Sequence, residues 1–535
     1  MPPSLPSGHP AARPARADQP ARASERAKAG QPAGEQAPPG ECRPPRLLAG
    51  LALAGIVISV ATLVAISLLG PSITEPTFPS PRPWPPFYLM ANPSIRLVTA
   101  AVWLSVLVGC GGVACGLAAV RRGWRPKPRL LIAGSLIGVV LLMLVPAIGS
   151  SDIKDDAVYG RIAALGHNPY IMTPRQLMVT GDPVAQVAAR HWMRDTSPYG
   201  PLTTVTQLAG SRLGGASPGR TMFWIKVWNA LAFLAVGLAL DWFLRFDAAR
   251  RVRAHLLWTV NPLMLLAVMA GGHNDVLGGL FGLLAVLALR RLDFRAGLLA
   301  GLLVGFAIGV KAPFALFGLG LAIAAIRSPR TLAGLSVGAA VVMLPSYGLA
   351  GIQSVTSVIA ESDRAVNTYQ PWQLLGGVVP SLQNGHEVDA VALVASVITA
   401  VLLLWKMPAG PPGLPAVRPV LALMLAWLIW SPQQRAWYDV LIFILLAVVP
   451  ATRLDWIVLA RAAAGAIGQL PANTIGAKTP PLWLVHTENV IEQSIVPVVL
   501  VGLAAVLLWL CLSGRVVSRS PARLTRAEPT QVASG

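Results

Sequence analysis

Apolar runs of about 20 residues recur along this chain, each long enough to cross a hydrocarbon core of about 30 Å. That pattern removes most folds from consideration. In lipid the backbone must satisfy its own hydrogen bonds, so an open segment crosses only as a helix. Composition agrees: of 535 residues, 54% are hydrophobic and 12% charged, with a mean hydropathy of +0.60. Glycine is frequent inside the runs, as expected where helices pack backbone to backbone. The fold class expected is an all-α polytopic membrane protein.

The formal charge of +20 does not indicate a nucleic-acid partner. Arg and Lys sit in short clusters between apolar runs, which is the signature of cytoplasmic loops. Four cysteines (Cys42, Cys110, Cys115 and Cys511) show neither metal spacing nor a disulfide framework.

Residues 1–46 are rich in Pro, Ala, Arg and Gly and read as a disordered basic cytoplasmic tail, not a signal peptide. The apolar runs are 47–70, 96–120, 130–149, 221–244, 255–270, 276–289, 296–310, 312–326, 332–351, 390–405, 420–430, 440–450, 456–470 and 495–512. They define a transmembrane domain over 47–513, with about 12–14 crossings. Residues 514–535 form a second basic cytoplasmic tail. Basic clusters alternate with their absence from loop to loop, which puts 150–220, GGHND (271–275), Lys311, the polar loop 352–389 and QQRAWY (433–438) on the outer face. The runs near 15 residues are either tilted partial spans or halves of longer helices.

The polar stretch after the third run carries the densest chemistry. Asp152, Asp155, Asp156 and Tyr159 stand at i, i+3, i+4 and i+7, a spacing that predicts one face of a helix. Carboxylates there suit a general base with a supporting acid. A solvated helix start, where the dipole favours Asp, is the other reading. His273, Asn274 and Asp275 lie between two apolar runs, where ionisable groups are costly and point to function; a polar hairpin turn is the alternative.

Lys311 and Arg435 end spans on the same face and suit a lipid phosphate, or else snorkel at the interface. Around Arg435, the residues Gln433, Gln434, Trp437 and Tyr438 suit sugar stacking and hydroxyl recognition, or an aromatic belt. Residues 167–170 and 197–201 read as rigid turns, and His191, His386 and His486 as plain loop residues.

Five motifs, YGRIAALGHNPY (159–170), SPYGPL (197–202), NPLMLLAVMAGGHNDVL (261–277), VGFAIGVKAPFAL (304–316) and SPQQRAWYDV (431–440), occur in one order. On them the chain resembles the actinobacterial polyprenol-phosphate-mannose-dependent alpha-1,6-mannosyltransferases, multi-pass enzymes of the GT-C glycosyltransferase class. The resemblance implies a GT-C-like multi-helix bundle with an outer-face active site and a lipid-linked sugar donor. It also implies an acid in the first large outer loop as base on the acceptor hydroxyl. Alignment on Tyr159-Gly160-Arg161 puts that acid on Asp152, with Asp155 or Asp156 assisting. The loop follows the third run here, whereas GT-C enzymes usually carry it after the first, which implies extra N-terminal helices or a shifted start.

The expected activity is thus inverting alpha-1,6 transfer of mannose from polyprenyl-phosphate mannose to a cell-envelope glycan or glycolipid. Tyr159, His273, Asn274, Asp275, Trp437 and Tyr438 would line the pocket, and Arg161, Lys311 or Arg435 would meet the departing phosphate. Cell-membrane localisation follows. No cofactor is required; a divalent metal is compatible but no ligand cluster calls for one. A multi-pass transporter or flippase of a lipid-linked or polar envelope precursor is the rival, and it predicts polar residues at matching positions of two repeated halves. No such repeat is visible.

Overall fold

Each apolar run folds as a helix, and among the described residues there is no strand. The computed structural model describes residues 46–75, 78, 83–362, 370–379, 385–407, 410–433, 435–471 and 478–516. The expected tails fall almost wholly outside these residues, as does Gln434.

In chain order the first helices are α1 (Arg46–Leu69), α2 (Ile95–Arg121), α3 (Pro128–Leu144), α4 (Asp152–Ala164), α5 (Pro174–Val179), α6 (Pro201–Gly214) and α7 (Pro218–Phe243). Then come α8 (Ala248–Leu257), α9 (Pro262–Leu265), α10 (Asp275–Ala288), α11 (Phe294–Val310), α12 (Ala315–Ala325), α13 (Pro329–Ala350) and α14 (Gln353–Ser362). The last are α15 (Pro371–Val378), α16 (Gly385–Lys406), α17 (Val417–Trp430), α18 (Asp439–Val448), α19 (Leu454–Gln469), α20 (Leu482–Val490) and α21 (Val496–Leu512).

Six helices are long and apolar enough to cross a membrane alone: α1, α2, α7, α13, Glu387–Lys406 of α16, and Leu482–Leu512, which joins α20 to α21. A seventh crossing requires α8 and Pro262–Ala270 together, bent by 42°. The sequence-based count of 12–14 includes, beyond these, apolar helices of 10–17 residues such as α3, α10, α11, α12 and α17. The final run also begins earlier than its hydropathy suggests, so His486 lies within α20 and not in a loop. His386 falls in the first turn of α16.

Close packing explains some of the glycine. A Cβ on Gly55 would come within 2.9 Å of the Gly112 Cα, so α1 and α2 touch backbone to backbone. Short α3 is closed by a buried lysine: the Lys226 ammonium, on α7, donates to the carbonyls of Leu142 (2.5 Å) and Val145 (2.9 Å). Cations at a helix C-terminus satisfy carbonyls that would otherwise lack donors. That cap ends α3 and releases the chain toward α4.

Basic residues of α2 and α8 converge on the segment that joins α18 to α19. Arg121 donates to the Thr452 carbonyl, and Arg250 to that of Val448. Arg253 forks onto Asp455 at 2.8 and 2.5 Å and also bonds the Val449 carbonyl. The end of α2, helix α8 and the start of α19 are thus tied together. Asp152, GGHND, Lys311 and the segment around Arg435 meet elsewhere, at a second focus.

Candidate active site

The helix predicted over the aspartates exists, but its carboxylates do not share one environment. Asp152 opens α4 and keeps its side chain 21% exposed. Asp155 and Asp156 are only 3% and 1% exposed, which excludes a merely solvated helix start. Asp155 accepts from the Ala189 backbone N–H at 3.1 Å. Asp156 accepts from Gln207 Nε2 at 2.6 Å and from Asn274 Nδ2 at 3.3 Å. Gly160 makes the second contact possible: a Cβ there would lie 2.3 Å from the Gln207 carbonyl oxygen, so α6 crosses α4 closely enough to deliver the amide.

These surroundings separate the three acids electrostatically. Burial alone would raise Asp152, but the hydrogen bond and charge of His273, with Lys311 and Arg435, outweigh it and hold the carboxyl below its usual range. Asp156 is pushed up to about 8, chiefly by burial and then by the neighbouring Asp152 charge. Asp155 is raised well above the ordinary value, again by burial first. Of the three, only Asp152, the accessible one, has surroundings that favour the ionised form, while those of Asp155 and Asp156 favour the protonated form.

Facing α4 is the GGHND turn. It follows a π-turn at Leu266–Ala270, and Gly272 adopts φ +77°, a conformation costly for residues with a Cβ. A Cβ there would also strike Ile153 Cδ1 at 2.5 Å. Buried Asn229 of α7 donates to the Gly272 carbonyl at 2.9 Å and fixes the turn. Three successive residues then reach three partners. His273 Nδ1 stands 3.5 Å from Asp152 Oδ2, Asn274 bonds Asp156, and Asp275 pairs with Lys311 at 3.2 Å.

Lys311 ends α11 in extended backbone. Its ammonium lies 4.4 Å above the Tyr438 ring and 5.5 Å above that of Tyr199. Gly200 allows this approach, because a Cβ there would meet the Gly309 carbonyl oxygen at 2.3 Å. The segment before α18 closes the site. Trp437 stacks on His273 with centroids 3.7 Å apart and planes 17° from parallel. Ala436 N–H donates to Gln469 at 3.2 Å. Below it, Arg461 pairs with Asp439 and donates to the Leu428 carbonyl. The charge of Arg435 is felt at Asp152.

The structure therefore gathers Asp152, Asp156, His273, Asn274, Asp275, Lys311, Arg435, Trp437 and Tyr438. Three expected members stand apart, Asp155 because its carboxylate holds the Ala189 amide. Arg161 pairs with Asp182 at 2.8 Å. Tyr159 is buried and donates to the backbone carbonyls of Asp195 and Thr196. Gln207 and Asn229 were not singled out; each is a polar residue inside a helix, and only the packing reveals what it holds. His191, read as a plain loop residue, lies near enough to Asp152 and Arg435 to feel their charges. Among the described residues, no group of three or more His, Cys, Asp or Glu side chains could hold a metal ion.

Comparison with known proteins agrees with this architecture. Over 158 residues, 29% of this chain, the sequence is 26% identical to the alpha-(1->6)-mannopyranosyltransferase B of Corynebacterium glutamicum. The match spans 26% of that relative's length. The family model described as "Alpha-(1->6)-mannopyranosyltransferase, N-terminal domain" matches residues 48–327, just over half of the chain and the whole stretch from Asp152 to Lys311. The chain therefore belongs to the alpha-(1->6)-mannopyranosyltransferase family.

Proposed function

We propose that this protein transfers mannose from polyprenyl-phosphate mannose to a glycan or glycolipid acceptor of the cell envelope, at the outer face of the membrane, with inversion and an alpha-1,6 linkage. The observation that carries the reading is the pairing of one ionised, reachable carboxylate, Asp152, with cations brought in from distant segments, Lys311 and Arg435.

In the reaction the acceptor hydroxyl oxygen attacks the anomeric carbon from the face opposite the phosphate. Asp152 takes the hydroxyl proton as the new C–O bond forms. The bond from the anomeric carbon to the phosphate oxygen breaks, and its electron pair leaves on the polyprenyl phosphate. Lys311 and Arg435 stabilise that charge. Asp275 and Tyr438 keep the Lys311 ammonium oriented. Neutral Asp156 adds no second negative charge that would repel the phosphate.

A lipid-borne donor is supported by the apolar side chains beside Asp439, where Leu425, Leu428, Ile442, Leu500 and Leu503 lie together.

The test uses membranes carrying the protein, radiolabelled polyprenyl-phosphate mannose and an envelope glycolipid extract. Transfer is expected with the natural chain, and Asp152→Asn should reduce it by about 10²- to 10⁴-fold. Equal transfer by both would remove Asp152 from the mechanism. Orientation is tested separately by Val179→Cys, a position 82% exposed, in a background lacking the native cysteines. Labelling by an impermeant maleimide only from the cytoplasmic side would overturn the outer-face assignment.

A further inference from the structure

The segment from Ala189 to Ser197 has no regular secondary structure, yet it is pinned to its surroundings at both ends. At its start, the Ala189 N–H is held by Asp155. At its end, the carbonyls of Asp195 and Thr196 accept from Tyr159, and Ser197 N–H donates to the Pro169 carbonyl at 2.9 Å. Between them the Met193 carbonyl accepts from Arg175 N–H at 2.8 Å. Asp155 and Tyr159 are one helical turn apart on α4, the helix whose first residue is Asp152. The stretch left standing out is Arg190-His191-Trp192, in which Arg190 and His191 are exposed and the two rings of His191 and Trp192 lie 5.0 Å apart.

We propose that Asp155 and Tyr159 are positioning residues that clamp this loop beside Asp152, and that Arg190, His191 and Trp192 form the rim on which a saccharide unit of the acceptor rests. The proposal builds on the transferase reading and extends it to the acceptor side of the site. The cations suited to the donor phosphate, Lys311 and Arg435, come from the segments after α11 and before α18, whereas the rim belongs to the loop between α5 and α6, with His191 near enough to feel the Arg435 charge. A polar acceptor must reach the base from solvent, where the rim is exposed. Indole and imidazole faces suit the C–H surface of a hexose, while the guanidinium supplies donors for hydroxyls.

Asp155 also answers to this role chemically. It is buried and accepts one backbone hydrogen bond, a task an asparagine carbonyl performs equally well. A catalytic carboxylate would not survive that replacement.

Four variants of the full-length protein in detergent or membranes decide the matter: Asp155→Asn, Asp155→Ala, Tyr159→Phe and Trp192→Ala. Tryptic cleavage after Arg190 and Arg194 should be at least several-fold faster in Asp155→Ala and Tyr159→Phe than in the natural chain or Asp155→Asn. Transfer should be retained by Asp155→Asn. Trp192→Ala should raise the acceptor KM about three- to tenfold while leaving the donor KM unchanged. Unchanged cleavage in both Asp155→Ala and Tyr159→Phe would overturn the clamp, as would Asp155→Asn being as inactive as Asp152→Asn. If Asp155→Ala does not fold, Tyr159→Phe alone carries the cleavage comparison. Proteolysis needs no activity, so a failure to find any mannosyl transfer would sink the transferase reading and leave the clamp still decided.

Discussion

The imidazole of His273 stands between Asp152, 3.5 Å from its Nδ1, and the indole of Trp437, stacked on its face at 3.7 Å. The helix after α3, the turn before α10 and the segment before α18 are coupled through one ring. Its hydrogen bond and charge help keep the Asp152 carboxyl ionised, so the state of the proposed base depends on a residue far away in the chain.

Replacing His273 by Ala should therefore raise the Asp152 pKa. In a pH–rate profile the acidic limb moves to higher pH, because the carboxylate must now be deprotonated against burial with less help. Trp437→Ala should move it the same way by a smaller amount, and Trp437→Phe should restore it. A limb that stays put in His273→Ala would show that the pair does not set the charge of Asp152.

Asp156 predicts a stability signature. Its folded pKa of about 8 lies above the unfolded value of about 3.9. Between those two values the folded chain holds a proton that the unfolded chain has lost. Its contribution is full below the unfolded pKa, declines as pH rises toward 8, and is flat above. Asp156→Asn removes this slope. The melting temperature of the detergent-solubilised protein should accordingly fall less from pH 5 to 8 in the variant than in the natural chain.

Lys311 and Asp275 should separate stability from catalysis. Lys311→Ala leaves Asp275, 2% exposed, without its cation, and breaking a buried pair costs about 3–5 kcal/mol. Thermal unfolding should show that loss. Turnover should fall by about 10²- to 10³-fold, the usual scale for removing a group that stabilises transition-state charge. The double variant Lys311→Ala with Asp275→Asn should recover much of the stability and none of the turnover.

Gly160→Ala tests the crossing of α4 with α6. The added methyl would lie 2.3 Å from the Gln207 carbonyl oxygen, and overpacking of this kind costs about 1–3 kcal/mol. A lowered melting temperature together with reduced transfer is expected, since a displaced Gln207 no longer holds Asp156. Unchanged values of both would show that the helices adjust without loss.

Hydropathy and spacing were enough to reveal the membrane class, the helix bearing Asp152 and the polar turns at 271–275 and 433–438. Each of these rests on local rules: an apolar run must be helical in lipid, and i, i+3, i+4 places residues on one helical face. Which carboxylate carries charge was not legible, since Asp152, Asp155 and Asp156 are the same residue type within one turn and a half. Their difference comes from the packing that buries Asp155 and Asp156 and from His273, Lys311 and Arg435 beside Asp152, none of which is local to α4.

Arg161 illustrates the converse. Its place in the YGR motif suggested a phosphate ligand, but Asp182 from a later loop pairs with it. His191 carried no motif at all and gains its place near Asp152 because Asp155 and Tyr159 hold the ends of its loop. Periodicity acts over a few residues and so dictates helices. Hydrogen bonds, ion pairs and desolvation act over a few ångströms in space, so only the packing of the helices selects which side chains meet and which of them remain charged.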